Sequence, residues 1–353
     1  MRKFYKLLIP LLFIGLFYIA FTFVPAYAQR VYYGLIISPA VETLGVERGQ
    51  VYKGELRITH DFEEGKPIRL YPYAISFVQD GETGNAKFLE NEEIDGKEDA
   101  SKWVNFNEES YYLEFEDTVI VNYTITVPEN ATPGGHYVAL IFSRSSDGIS
   151  KDSGIGLGQE IGDLILMTVG GEYVDRGELV DFSVVDVGKD NDWIAKDNFE
   201  FLPVYFSIRY RNTGTVHTHI GGNIFIHKGD ITKPVATLNV NEKAGYTLPN
   251  SIRNYVENWN GGWITKNDSG SLVFNKDNFL KIYWGNYHAT LMLKHTVNGE
   301  RVTSQHDVTF SVIPWRLIVI VVLTVIMIIT LVISLNKKNK RSNKKPVKRS
   351  VKR

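Results

Sequence analysis

The chain has no cysteine in its 353 residues. That excludes disulfide staples, zinc–thiolate centres, iron–sulfur clusters and cysteine nucleophiles. Short enzyme signatures are missing too: there is no G-x-S-x-G, no H-E-x-x-H and no P-loop. No repeat can be aligned by eye, and no linker rich in Gly, Ser or Pro divides the chain. Positive charge is scarce in the middle. Residues 31–314 hold 24 Lys and Arg against 40 Asp and Glu, a net of −16. Such a surface does not seek nucleic acid, which needs basic patches to neutralise phosphates.

Charge vanishes altogether between Leu317 and Leu335, LIVIVVLTVIMIITLVISL. Nineteen residues at about 1.5 Å each give roughly 28 Å of helix, close to the hydrocarbon thickness of a bilayer. The β-branched content favours a strand in water. In lipid the backbone must satisfy itself, so helix is expected. Pro314 precedes the run, and Trp315 stands where an interfacial anchor belongs. Residues 314–336 therefore read as a transmembrane helix with the lipid bilayer as partner. Residues 337–353 carry ten Lys or Arg and no acid, which places this tail in the cytoplasm and in reach of anionic lipid.

The amino end agrees. Arg2, Lys3 and Lys6 precede an apolar run from Leu7 to Val24, and Pro25-Ala26-Tyr27-Ala28 supplies a cleavage signal. Residues 1–28 read as a signal peptide, with an uncleaved anchor as the alternative. Either way the middle of the chain is exported.

That middle reads as all β. Leu56 and Ile58 alternate with Glu55, Arg57 and Thr59. Val119, Val121, Tyr123, Ile125 and Val127 alternate with Ile120, Asn122, Thr124 and Thr126, so Tyr123 is expected inward and Asn122 outward. Ile68 to Phe77 is a further strand whose phase shifts near Pro72, where an edge or bulge is expected. Tyr137 to Phe142 and Leu164 to Val169 are apolar at nearly every position, as strands covered on both faces would be. Turn residues such as Asp80-Gly81 and Pro133-Gly134-Gly135 separate the runs. Residues 29–177 are expected to form one antiparallel sandwich and residues 178–313 a second. In the second, Val204 to Tyr210 is expected to turn at Arg211 to Gly214 and pair with a strand from Gly222 to His227. The domains should meet tightly near Arg176-Gly177.

The opening Gly34-Leu35-Ile36-Ile37-Ser38-Pro39, the turn Pro133-Gly134-Gly135-His136-Tyr137 and the segment Arg211-Asn212-Thr213-Gly214-Thr215-Val216-His217 carry a resemblance. Together with a signal, two sandwiches, one span and a basic tail, the chain resembles the WxL-interacting protein family of bacterial surface proteins. The first domain is also similar to the leading domain of periplasmic pilus chaperones. The resemblance implies immunoglobulin-like sandwiches and a place on the bacterial cell membrane as a single-pass protein. No basic pair matches the chaperones' carboxylate-anchoring site, so that mechanism does not transfer.

Candidate sites are few. Tyr246, Tyr255 and Trp263 are possible ligand-facing aromatics, able to stack on sugar rings. Trp259 and Trp284 are expected to be mostly structural, and Trp263, after Asn260-Gly261-Gly262, to be exposed. His217 and His219 share a strand face with His227 nearby, but no carboxylate completes a metal set. Asp186, Asp190, Asn191 and Asp192 are rich in oxygen yet lack calcium-loop spacing. The acidic run Glu90 to Asp99 reads as solvated loop, and Gly154 to Gly158 as a connection between strands. No catalytic residue, cofactor or metal is assigned. The expectation is a non-catalytic, membrane-anchored binding or scaffold protein engaging peptidoglycan or another surface protein. The alternative is an envelope enzyme or sensor, which converging carboxylates in a cleft would mark.

Overall fold

The computed structural model describes residues 34–61, 66–89, 98–144, 160–188, 192–266, 271–278, 281, 283–297 and 299–342. The expected signal peptide of residues 1–28, the Gly154–Gly158 connection, Asp190, Asn191, most of the Glu90–Asp99 run and residues 343–353 lie outside the described residues. Among the described residues the chain is all β with one carboxy-terminal α-helix.

Period-two alternation governs the first sandwich. In β8 (Thr118–Thr126), Val121, Tyr123 and Ile125 are buried while Asn122 is exposed. This strand lies in a sheet ordered β1 (Gly34–Ser38), β3 (Val51–Asp61), β8 and β6 (Val104–Phe106). The facing sheet is ordered β2 (Val41–Val46), β10 (Glu160–Val169), β9 (Gly134–Ser143), β4 (Ile68–Asp80) and β5 (Asn85–Phe88). A short β7 (Tyr111–Leu113) pairs with the start of β4. The chain crosses between sheets around Pro39, so β1 runs antiparallel to β3 and β2 runs parallel to β10. Leu56, Ile58, Tyr123, Ile125, Leu140, Phe142 and Ile165 fill the space between the sheets, all fully buried. Each such side chain contributes about 1.5–3 kcal/mol by leaving water.

Pro72 does not mark a bulge, because β4 pairs with β9 in unbroken register from Tyr71 to Ser76. The apparent phase shift arises because β4 is apolar on both faces. Ile68, Leu70 and Ala74 pack on the sandwich core, while Tyr73, Ile75 and Phe77 pack on a second cluster. Between the segments paired with β7 and β5, residues 71–76 have, among the described residues, a strand neighbour on one side only. Pro72, which has no N–H to donate, sits there without cost.

The second sandwich repeats the plan. One sheet is ordered β12 (Trp193–Ala195), β11 (Gly177–Val187), β14 (Val204–Asn212) and β17 (Ile252–Trp259). Its partner is ordered β13 (Asn198–Phe199), β21 (Glu300–Val312), β20 (Gly285–Val297), β15 (Gly221–Lys228) and β16 (Ala236–Val240). Phe206, Ile208, Tyr210, Trp259, Leu291 and Phe310 form its core. The expected pairing of β14 with β15 does not occur. The intervening segment carries the chain to the opposite sheet, where β15 pairs with β16 and β20. A separate hairpin, β18 (Ile264–Lys266) and β19 (Leu272–Phe274), sits outside both sheets.

Only Ile313 and Pro314 separate β21 from α1 (Trp315–Ser342). Within its first 21 residues, Trp315–Leu335, an 18-residue stretch reaches mean hydropathy 3.3, and none of that stretch is buried against protein. The helix is long and apolar enough for a single membrane crossing.

Candidate functional site: the cleft between the sandwiches

Strands β4, β9 and β10 carry apolar side chains on both faces. Their inner residues feed the first core. Their outer residues Phe77, Ala139, Ile141 and Leu166 are buried against Leu248 of the second sandwich, with Tyr137, Leu164 and Tyr246 packed beside them. The cover is the loop between β16 and β17. Asn241 shapes it: in left-handed backbone (φ 56°), it donates through Nδ2 to the carbonyls of Ile220 and Gly245, both at 2.9 Å, and accepts from Gly245 N–H at 2.7 Å.

The β4–β5 turn docks onto β17 and β14. Gln79 Nε2 donates to the Ile252 carbonyl at 2.6 Å, and Leu248 N–H donates to Gln79 Oε1 at 3.2 Å. Asn254 N–H reaches the Glu82 carbonyl at 2.9 Å, and Arg209 Nε reaches the Glu82 carboxylate at 2.8 Å. The hydrogen bond from Arg209 holds the Glu82 carboxyl below its ordinary range.

A second set of links lies on the Pro133-Gly134-Gly135 side. Gly135 N–H donates to the Thr215 carbonyl at 2.8 Å. Gly134 has φ 124°, a conformation that favours glycine. The segment before β11 is tied to the one after β14, with Thr213 N–H on Arg176 O at 2.9 Å and Thr215 N–H on Val174 O at 2.7 Å. Any side chain at Gly214 would meet the Val174 carbonyl at 2.2 Å. His217 stands edge-on to Tyr137 of the first sandwich (5.9 Å) and Tyr246 of the second (5.2 Å). Burial pushes its imidazole down to about 4, so it is neutral.

Beside these links a cleft of about 430 Å³ remains open. The first sandwich contributes Val41, Phe77, Ala86 and Leu164, and the second contributes Tyr246 and Leu248. Lys243 and Arg253 supply positive charge. Arg253 is held with its guanidinium over the Tyr255 ring at 5.0 Å and Nη1 donating to the Tyr246 carbonyl at 2.7 Å. One wall is β2, whose far side has no strand neighbour among the described residues and whose Val41 is 50% exposed. Such a cleft can take apolar side chains and an acidic group from an extended chain lying beside β2.

The aromatics expected to face a ligand are dispersed. Tyr246 lines the cleft. Tyr255 does not face a ligand: it is 5% exposed, and its hydroxyl is bonded to Thr247 Oγ1 at 2.8 Å. Trp263 is half-buried rather than exposed, stacked edge-on to Phe274 near the start of α1. Trp259 is a core residue, but Trp284 is 58% exposed. It precedes β20 by one residue and so lies past the end of the sandwich it was expected to fill. His219 packs on Tyr246, while His227 stacks on His288 at 4.8 Å. Asp186 is paired with Lys196. Among the described residues no group of three or more His, Asp or Glu is placed to hold a metal.

Two carboxylates do converge, but inside the first sandwich. Glu42 accepts from Tyr52 at 3.0 Å and from Tyr123 at 2.9 Å. Asp163 is fully buried nearby, and among the described residues no side chain donates a hydrogen bond to its carboxylate oxygens. Burial first, and the charge of Glu42 second, raise its carboxyl to about 7. Both lie on the core-facing sides of β2 and β10, opposite the sides that line the cleft.

No protein-family model matches the chain, and no curated protein matches it in sequence. Among solved structures, the class 5 fimbriae chaperone CfaA is similar over 79% of this chain and 99% of its own, with 12% identity and TM-score 0.31. The E. coli chaperone DraB is similar over 79% and 97%, with 10% identity and TM-score 0.32. A Salmonella enterica SafA pilin–SafB chaperone structure covers 81% and 99%, with 7% identity and TM-score 0.30.

Sequence reasoning missed Gln79, Glu82 and Arg253, because turn and strand polar residues look alike whether they face water or a neighbouring domain. The dense apolar runs in β9 and β10 did signal a covered outer face. Asp163 had a signal too: it is the lone acid between Ile161 and Val169.

Proposed function

We propose that the protein is a membrane-anchored, non-catalytic scaffold whose sandwiches stand outside a bacterial cell and engage another surface protein at the inter-sandwich cleft. The ten basic residues of the tail support this orientation by the positive-inside rule. One observation carries the binding role: an apolar sheet face, partly covered by the second sandwich, runs out to the unpaired edge of β2 beside Lys243 and Arg253. An extended partner segment gains main-chain hydrogen bonds at that edge and places side chains in the cleft. Tethering adds to weak contacts by raising local concentration at the membrane.

A photo-crosslinking side chain at Thr43, in the full-length protein in intact cells, tests the reading. Adducts to an exported polypeptide at position 43, and none at Asn122 on the opposite sheet, are expected. Adducts to glycan would make peptidoglycan the occupant instead. Absence of adducts at 43 would remove the cleft as the binding face, and hydrolysis of wall fragments by the purified protein would favour an enzyme.

A further inference from the structure

The lower end of the second sandwich carries apolar side chains that no core absorbs. In the β20–β21 register Gly285 pairs with Val312, so Trp284 and Ile313 leave the sheet side by side at its last rung. Trp284 is 58% exposed, Ile313 46% and Trp315 56%. Phe274, on the separate hairpin, is 45% exposed. The hairpin is held close to α1. Leu202 bridges to Thr265, and Leu317 of the first helical turn shares a small cavity with Leu202, Ile264 and Tyr283. Glu200, next to β13, is ion-paired to Arg316 at 3.5 Å. Four chain segments therefore gather around the point where the helix begins.

That position decides what covers these residues. The uninterrupted apolar stretch of α1 starts at Leu317, so a side chain level with Ile313 is about one helical turn from the hydrocarbon boundary. Aromatic rings with an apolar body and a polar N–H are favoured at that depth, where one end is dry and the other wet. Exposed Lys276 and Lys281 on the same segment suit lipid phosphates. We infer that the β18–β19 hairpin and the Trp284–Ile313 end of the sheet form a collar that rests in the outer interface of the bilayer, so that the second sandwich is seated on lipid as well as tethered to it. This rests on α1 spanning the membrane, and the sandwich touches lipid through its own surface rather than through the helix alone.

Because the chain lacks cysteine, single labels are unambiguous. Nitroxide labels on Trp284→Cys, Ile326→Cys and Glu300→Cys, each in the full-length protein reconstituted in phosphatidylcholine–phosphatidylglycerol vesicles, would be read by collision with oxygen and with a water-soluble nickel chelate. Glu300 opens β21 at the opposite end, about 40 Å away along 13 residues. The ratio of oxygen to nickel accessibility is expected to be several-fold higher at 284 than at 300, and highest at 326. A ratio at 284 equal to that at 300, with 326 still in lipid, would overturn the collar and leave the span intact. An aqueous label at 326 would overturn both. Phe274→Cys provides a second reading of the collar should the tryptophan variant fail to fold.

Discussion

Arg209 and Glu82 lie 127 positions apart in sequence, yet the guanidinium of one grips the carboxylate of the other across the two sandwiches. Both side chains remain more than a third exposed, so the pair is worth no more than about 0.5–1 kcal/mol. Its weight is in orientation. Arg209→Ala is expected to leave the melting temperature nearly unchanged while loosening the junction. Faster amide exchange at Asn254, whose N–H reaches the Glu82 carbonyl, would report it.

His217 makes the junction sensitive to acid. Its folded pKa of about 4 lies below the ordinary histidine value, so the native state binds fewer protons than the unfolded one between the two. The stability it contributes is present above about pH 6.5 and is lost as pH falls toward 4. His217→Phe keeps a ring between Tyr137 and Tyr246 and should flatten this part of the pH–stability curve, measured by urea unfolding from pH 4 to 8.

Asp163 works in the opposite direction. Its carboxyl is raised to about 7, so the native state binds more protons than the unfolded one from about pH 4 upward. Stability at this site is greatest below pH 4, declines as pH rises toward 7 and is flat above. Asp163→Asn should stabilise the first sandwich at pH 8, by at most about 4 kcal/mol, and change little at pH 4. Equal effects at both values would show that the carboxyl is already ionised or already neutral throughout.

Tyr123 and Asn122 test strand phase. Tyr123→Asp strands a charge in the core and removes a donor from Glu42, and is expected to unfold the first sandwich. Asn122→Asp faces water and should cost less than about 1 kcal/mol. Circular dichroism melts of the two variants separate the cases.

Ile326→Arg places a charge at mid-span and should hinder insertion by roughly 2.5–3.5 kcal/mol on translocon scales. Carbonate extraction of membranes would show the variant released while the parent protein stays bound.

How far the fold could be read beforehand follows from what each residue faces. Alternation gave β3 and β8 because one face of each meets the core and the other meets water. Strands β9 and β10 showed unbroken apolar runs because the second sandwich covers their outer faces, and that much was legible. The covering loop was not, since Asn241 and Leu248 look like ordinary loop residues until β4 is placed beneath them. The β14–β15 pairing failed because a turn sequence such as Arg211 to Gly214 does not say whether the next strand returns to the same sheet. Tyr255 and Trp284 exchanged their expected places because an aromatic's burial depends on its height in the sandwich, which spacing alone does not give.

The connection from β21 into α1 has only two residues, and Gly299 at the other end of the β20–β21 hairpin bonds to the Asp175 carbonyl just before β11. A pull on the first sandwich therefore enters the second at the start of β11 and leaves at the end of β21, at opposite ends of the same long axis. Tension along that axis loads the flanking hydrogen-bonded ladders in shear, so many rungs must break together instead of one at a time. A chain built this way carries force from the start of β11 to the start of α1 through long paired strands, with only two residues between the last strand and the helix.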